Sequence, residues 1–167
     1  MSDNAATITV HLLQLPVALA EKSRQHFEEL MREFALIAAG QDAGQARHQV
    51  PARLTELVDA LTVQFAGVTT DAEQRLQDAV DAQVPSIDDH VLELPPEAAE
   101  ASIALGALID EADVYCRQGA HLLTLASPPD CIAYRSWYLG QVVSQLAGEA
   151  PVAWPDSEQA RAVATGR

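Results

Sequence analysis

The sequence predicts a mainly α (α+β) fold: about five helices packed around a short two-stranded antiparallel ribbon. Three observations lead there. The 167 residues are 49% hydrophobic but only 5% aromatic, so the apolar content is largely Ala, Leu and Val, which suits close-packed helices. Two segments end in Leu-Pro after a short apolar stretch, Ile8 to Pro16 and His90 to Pro95, and each leads into long helical periodicity. Neither strand is stable alone in water, so the simplest arrangement pairs them about a pseudo-two-fold axis. The order strand–helix–helix recurs, with a second helix opened by Pro51 in one copy and Pro129 in the other. That points to an internal duplication.

Residues 1–6 carry no pattern and read as a disordered start. A single helical domain is expected over 7–155, with pseudo-repeats of about 7–84 and 85–150, and a mobile tail over 156–167. The first strand is expected over Thr7 to Leu15, where Ile8, Val10 and Leu12 share one face, and Thr9, His11 and Leu13 the other. Pro16 stops it and can open a helix. From Val17 to Ala39, Ala20, Phe27, Leu30, Met31, Phe34 and Ile37 form a stripe at the 3.6-residue period. A second helix spans about Val50 to Phe65. A third has Thr70 as its expected N-cap, with Glu73 completing a capping box. Ser86 to Asp89 read as a loop before a strand over His90–Leu94. A fourth helix runs from Pro96 to about Gln118; Ile103, Ala107 and Val114 make it apolar on a second side, so it is deeply buried or shared with a partner chain. Residues 120–125 read as a turn, and a last helix covers Pro129 to about Ala147.

The formal net charge is −14, with one lysine, Lys22, among ten basic residues. Nucleic-acid binders neutralise phosphate with clustered Lys and Arg, and between Asp71 and Asp113 the only base is Arg75. DNA, RNA and anionic membrane surfaces are therefore excluded as partners. The two cysteines, Cys116 and Cys131, show no Cys-x-x-Cys spacing and suit a reducing cytoplasm. The first residues lack a secretory pattern, and no apolar run approaches the ~20 residues that span a bilayer.

Catalytic motifs are absent: there is no Gly-x-Ser-x-Gly, no phosphate-cradling loop and no dinucleotide fingerprint. No catalytic residue and no cofactor are assigned, and the enzyme question stays open, leaning to no. Di-metal sites in bundles need Glu-x-x-His pairs, whereas this chain has His26-x-x-Glu29 once and an Asp110-Glu111-x-Asp113 cluster. Cys116, His121 and Cys131 are the weak candidates for a zinc site, with core packing of the cysteines the better reading.

The last helix carries three of the chain's five Tyr and Trp residues. Ile132, Ser136, Leu139, Val143 and Leu146 form a seam fit for packing, while Tyr134, Trp137, Tyr138 and Gln141 lie opposite, with Arg135 at the edge. Exposed Tyr, Trp and Arg make interface hot spots, so Tyr134, Arg135, Trp137, Tyr138 and Gln141 are the expected partner-binding residues. The competing reading folds Val152 and Trp154 back over them.

Two stretches carry a family resemblance: Val10 to Pro16 leading to Glu29–Ile37, and Tyr134-Arg135-Ser136-Trp137-Tyr138-Leu139. They resemble small helical proteins of high-GC Gram-positive bacteria, associated with partner-switching sigma-factor regulation. The resemblance implies a regulatory role without supplying functional residues. The Asp-x-Gly-x-Gly pattern of anti-sigma kinases is missing, so ATP binding of that type is not expected. The sequence thus points to a non-enzymatic cytoplasmic regulatory protein that binds a basic protein partner or a second copy of itself. The alternative is a helical enzyme, or a protein binding a small ligand or metal in a pocket between the two halves.

Overall fold

Proline sets the first boundary. The strand β1 (Ile8–Pro16) runs straight into helix α1 (Val17–Ala39), because Pro16 cannot donate to a ladder but suits a helix start. The computed structural model describes residues 6–39, 49–65, 68–118 and 126–155. Within them follow α2 (Gln49–Gln64), α3 (Thr70–Asp81), β2 (Ser86–Leu94), α4 (Ala98–Gln118) and α5 (Pro129–Leu146). The architecture is mainly α with a two-stranded ribbon: β1 and β2 pair antiparallel, from Ile8 opposite Leu94 to Pro16 opposite Ser86. Each Leu-Pro end therefore lies beside the start of the other strand. The expected frayed start (apart from Ala6), the turn at 120–125 and the tail at 156–167 lie outside the described residues.

Several boundaries differ from the sequence reading, most by a residue or two, as where α4 starts at Ala98 and not Pro96. β2 begins at Ser86, not His90, so the expected Ser86–Asp89 loop is strand. Its polar residues hid it: Asp88 and Asp89 face outwards, where Gln14 Nε2 donates to Asp88 Oδ1 at 3.2 Å and His11 Nδ1 lies 2.9 Å from Asp89 Oδ2. Gln14 itself sits at φ 55°, a left-handed conformation that interrupts the alternation, so burial passes from Val10 and Leu12 to Leu15. For α3 the N-cap is Thr69, one residue earlier than expected. Its hydroxyl donates to Glu73 Oε1 at 3.0 Å instead of accepting from a backbone N–H.

The core has two parts. On the inner face of the ribbon, Val10, Leu12, Leu15, Leu92 and Leu94 are covered by Ala20 of α1, Ala72 of α3, Ala98 of α4 and Tyr134 and Val142 of α5. Away from the ribbon, Leu30 and Phe34 of α1 meet Leu54 of α2 and Ile109, Ala112 and Cys116 of α4, with Tyr115 edge-on to Phe34 at 5.8 Å. Alanine at these crossings lets helices approach closely, which the Ala-rich composition anticipates. His90 lies on the ribbon's inner face opposite Leu12, and its Nδ1 has no hydrogen-bond partner among the described residues. Desolvation lowers its pKa, so the ring stays neutral. Among the described residues no helix is long and apolar enough to cross a membrane.

Candidate functional site

A ribbon of two strands has two open edges, and unpaired backbone groups there must find partners. Helix side chains supply them. Arg75 of α3 donates to the Val91 carbonyl on the β2 edge. On the β1 edge, the Gln145 carboxamide of α5 acts like a strand residue: its Oε1 accepts from the His11 N–H at 2.9 Å, and its Nε2 donates to the His11 carbonyl at 2.8 Å. Nε2 also donates to Gln141 Oε1 at 3.1 Å.

Beyond α5 the chain doubles back. Gly148, at φ 93°, closes the helix: its N–H donates to the Gln145 carbonyl and the Glu149 N–H to that of Ser144. Residues 151–155 then lie as a strap over the aromatic side of α5. The Val152 N–H donates to Gln141 Oε1 at 2.8 Å, Trp137 Nε1 donates to the Val152 carbonyl at 3.0 Å, and the Trp154 N–H donates to the Leu13 carbonyl at 2.9 Å. The Trp154 ring centroid lies 5.8 Å from Tyr134 and 5.4 Å from Trp137.

This arrangement is the competing reading, with Val152 and Trp154 folded back over the aromatic side, and it corrects the exposure of the expected partner-binding residues. Tyr134 and Gln141 are 8% exposed, Trp137 and Tyr138 are half-buried, and burial pushes the Tyr138 hydroxyl up to about 12. They are brought together, but as the lining of the ribbon core under Trp154. The physical reason is the polar edge of β1, which needs amides, and rings with a hydrogen-bonding tip suit that boundary.

Arg135 is held as well. Its Nη2 lies 3.0 Å from Asp113 Oδ2 and 2.7 Å from Asp110 Oδ1, and its Nη1 donates to Ser127 Oγ at 3.2 Å. Asp113, only 3% exposed, also accepts from the Ser127 N–H at 2.8 Å. The acidic cluster of α4 is therefore a clamp that fixes the start of α5. Cys116 belongs to the helix-only core, where desolvation pushes its thiol up to about 11. Cys131 is buried near Lys22 and Asp130 with its pKa also raised, first by desolvation, and the Lys22–Asp130 pair, 2.6 Å apart, closes over that end. His121 lies outside the described residues. Among the described residues no three His, Cys, Asp or Glu side chains converge as metal ligands do.

With the aromatic side turned inwards, the predicted seam of α5 faces out except for Leu146, which packs against the ribbon core. Ile132, Leu139 and Val143 are half-buried and Ser136 is exposed; with Ile103 and Ala107 of α4 they line an open groove of about 630 Å³. Ile103 is 59% exposed and Val114, on the same side of α4, 42%. The floor is shallow in side chains: nothing lies within 4 Å of a Cβ placed on Gly140. Asp110 and Arg135 mark one end and Glu149 the other. Ile103, Ala107 and Val114 were legible as a second apolar side of α4; Gly140 as the groove's gap was not, because the covering of the aromatics by Val152 and Trp154 stood only as one of two readings. Comparison with known proteins finds no matching family model, no matching curated protein and no matching solved structure.

Proposed function

We propose that this chain is a non-enzymatic cytoplasmic regulatory protein that binds a helix of another protein in the α4–α5 groove. The observation that carries the reading is the open apolar concavity itself: two neighbouring helices leave Ile103, Leu139 and Val143 facing out around a gap at Gly140. Helix-in-groove recognition uses this kind of surface, with apolar anchors spaced along one side of the incoming helix. A place in bacterial stress or sigma-factor partner switching rests on the sequence resemblance alone. The test is capture of partners from lysate of the source cell by the full-length chain, beside Gly140→Trp and Val63→Asp variants. Gly140→Trp fills the gap; Val63, 80% exposed on α2, lies elsewhere and serves as the control. Loss of the captured protein with Gly140→Trp, and its retention with Val63→Asp, is the expected result. Equal capture by all three chains overturns the assignment of the groove.

A second cavity of about 370 Å³ favours the small-ligand alternative. Phe27, Leu61, Phe65 and Leu105 line it, and Glu73 and Thr69 stand at its polar side. It draws on both halves of the chain, Leu105 coming from the second. A molecule co-purifying with the intact protein in native mass spectrometry, and displaced by Leu105→Trp, would decide for this reading.

A further inference from the structure

We infer that the partner helix in the α4–α5 groove is amphipathic and basic at both ends, and belongs to a different protein rather than a second copy of this chain. The inference rests on the groove reading and adds the chemistry of its occupant. At the Ile132 end, the single positive charge of Arg135 faces two carboxylates, Asp110 and Asp113, so the trio carries a net −1. The Asp110 side chain remains 71% exposed. At the opposite end stands the exposed carboxylate of Glu149. Between them the lining is apolar or small, so an occupant gains electrostatic attraction by placing cations at its two ends. From Arg135 to Glu149 is fourteen positions along α5 and its cap, roughly 20 Å at helical rise, or about four turns of a partner helix. Apolar anchors along one side of that helix would then meet Ile103, Leu139 and Val143.

The same charges argue against self-association. A second copy docked about a two-fold axis brings Asp110 and Glu149 against the same acids, in a chain of net charge −14. Like-charge juxtaposition of this kind rejects a partner even where shape would fit.

The experiment uses three capped synthetic helices of about four turns with one identical Leu stripe, carrying Lys, Gln or Glu at both ends. Fluorescence anisotropy measures their binding to the intact chain and to Gly140→Trp and Glu149→Lys variants whose circular dichroism matches it. The Lys-flanked helix is expected to bind about ten-fold tighter than the Glu-flanked one at low salt, with the gap closing as salt is added. Glu149→Lys should shrink that gap, and Gly140→Trp should abolish binding of all three. Equal binding of the Lys- and Glu-flanked helices, lost with Gly140→Trp, overturns the charge inference and leaves the groove reading standing. Binding unaffected by Gly140→Trp, or absent for every helix, overturns both. A dimer of the free chain in light scattering, broken by Gly140→Trp, also overturns the inference.

Discussion

Helix α5 has two unlike sides, and each does what the other's composition suggests. The side with Tyr134, Trp137, Tyr138, Gln141 and Gln145 has the residues protein interfaces favour, yet it lies against β1 and under Trp154. The side with Ile132, Leu139 and Val143 is aliphatic, yet it borders the open groove. The neighbours decide the outcome. An aliphatic seam set against the β1 edge would bury the His11 N–H and carbonyl without partners, at about 1–3 kcal/mol for each group. The amide side satisfies both from Gln145 alone. Hydrophobicity therefore fails to rank the two sides, because the surface being covered is polar backbone.

The largest expected effect tests which side is core. Tyr134→Ala should cost about 3–4 kcal/mol in urea unfolding, because it empties space among Val142, Trp137, Tyr138 and Trp154. Leu139→Ala on the groove side should cost about 1 kcal/mol, since that side chain is only half-buried. A reversal of the two costs would show that the strap side is not the interior.

Next in size is the edge itself. Gln145→Leu keeps the side chain's approximate volume but removes both bonds to His11, and should cost about 2–3 kcal/mol. The sharper readout is hydrogen exchange: the His11 amide should lose protection well ahead of amides in α2. Unchanged protection at His11 would mean that Gln145 does not hold the edge.

How much of this could be read beforehand differs from element to element. Strands and helices were legible because Val10 and Leu12, or Leu30 and Phe34, repeat at the period of their element and end in buried positions. The pairing of the two strands followed from each being too small to stand alone. Ser86–Asp89 was illegible as strand because Asp88 and Asp89 bond to His11 and Gln14 on the exposed side, leaving Ile87 as the segment's single apolar residue against the core. The orientation of α5 was legible only as one of two readings, with Val152 and Trp154 offered as a cover, and the role of Gln145 was not legible. Periodicity reports that a stripe exists, but Gln145 and Gln141 are interior only because a backbone edge and residues 151–155 lie against them. The bond between His11 and Gln145 joins residues more than a hundred positions apart and leaves no local trace.

The smallest effect probes the emptiness of the groove side. Glycine inside a helix costs about 0.5–1 kcal/mol relative to alanine, through backbone entropy. At Gly140 a Cβ meets nothing within 4 Å, so Gly140→Ala should stabilise the fold by that amount. Gly106, facing the same groove from α4, differs: a Cβ there would come 3.2 Å from Leu139 Cδ1, and the crowding should offset most of the gain. Thermal unfolding of the two variants compares a vacant position with an occupied one on the same side of the molecule. If Gly140→Ala destabilises, something already fills that gap in the free chain and the contrast between the two sides of α5 fails; if both variants gain equally, Leu139 yields readily and the groove floor is softer than its geometry implies.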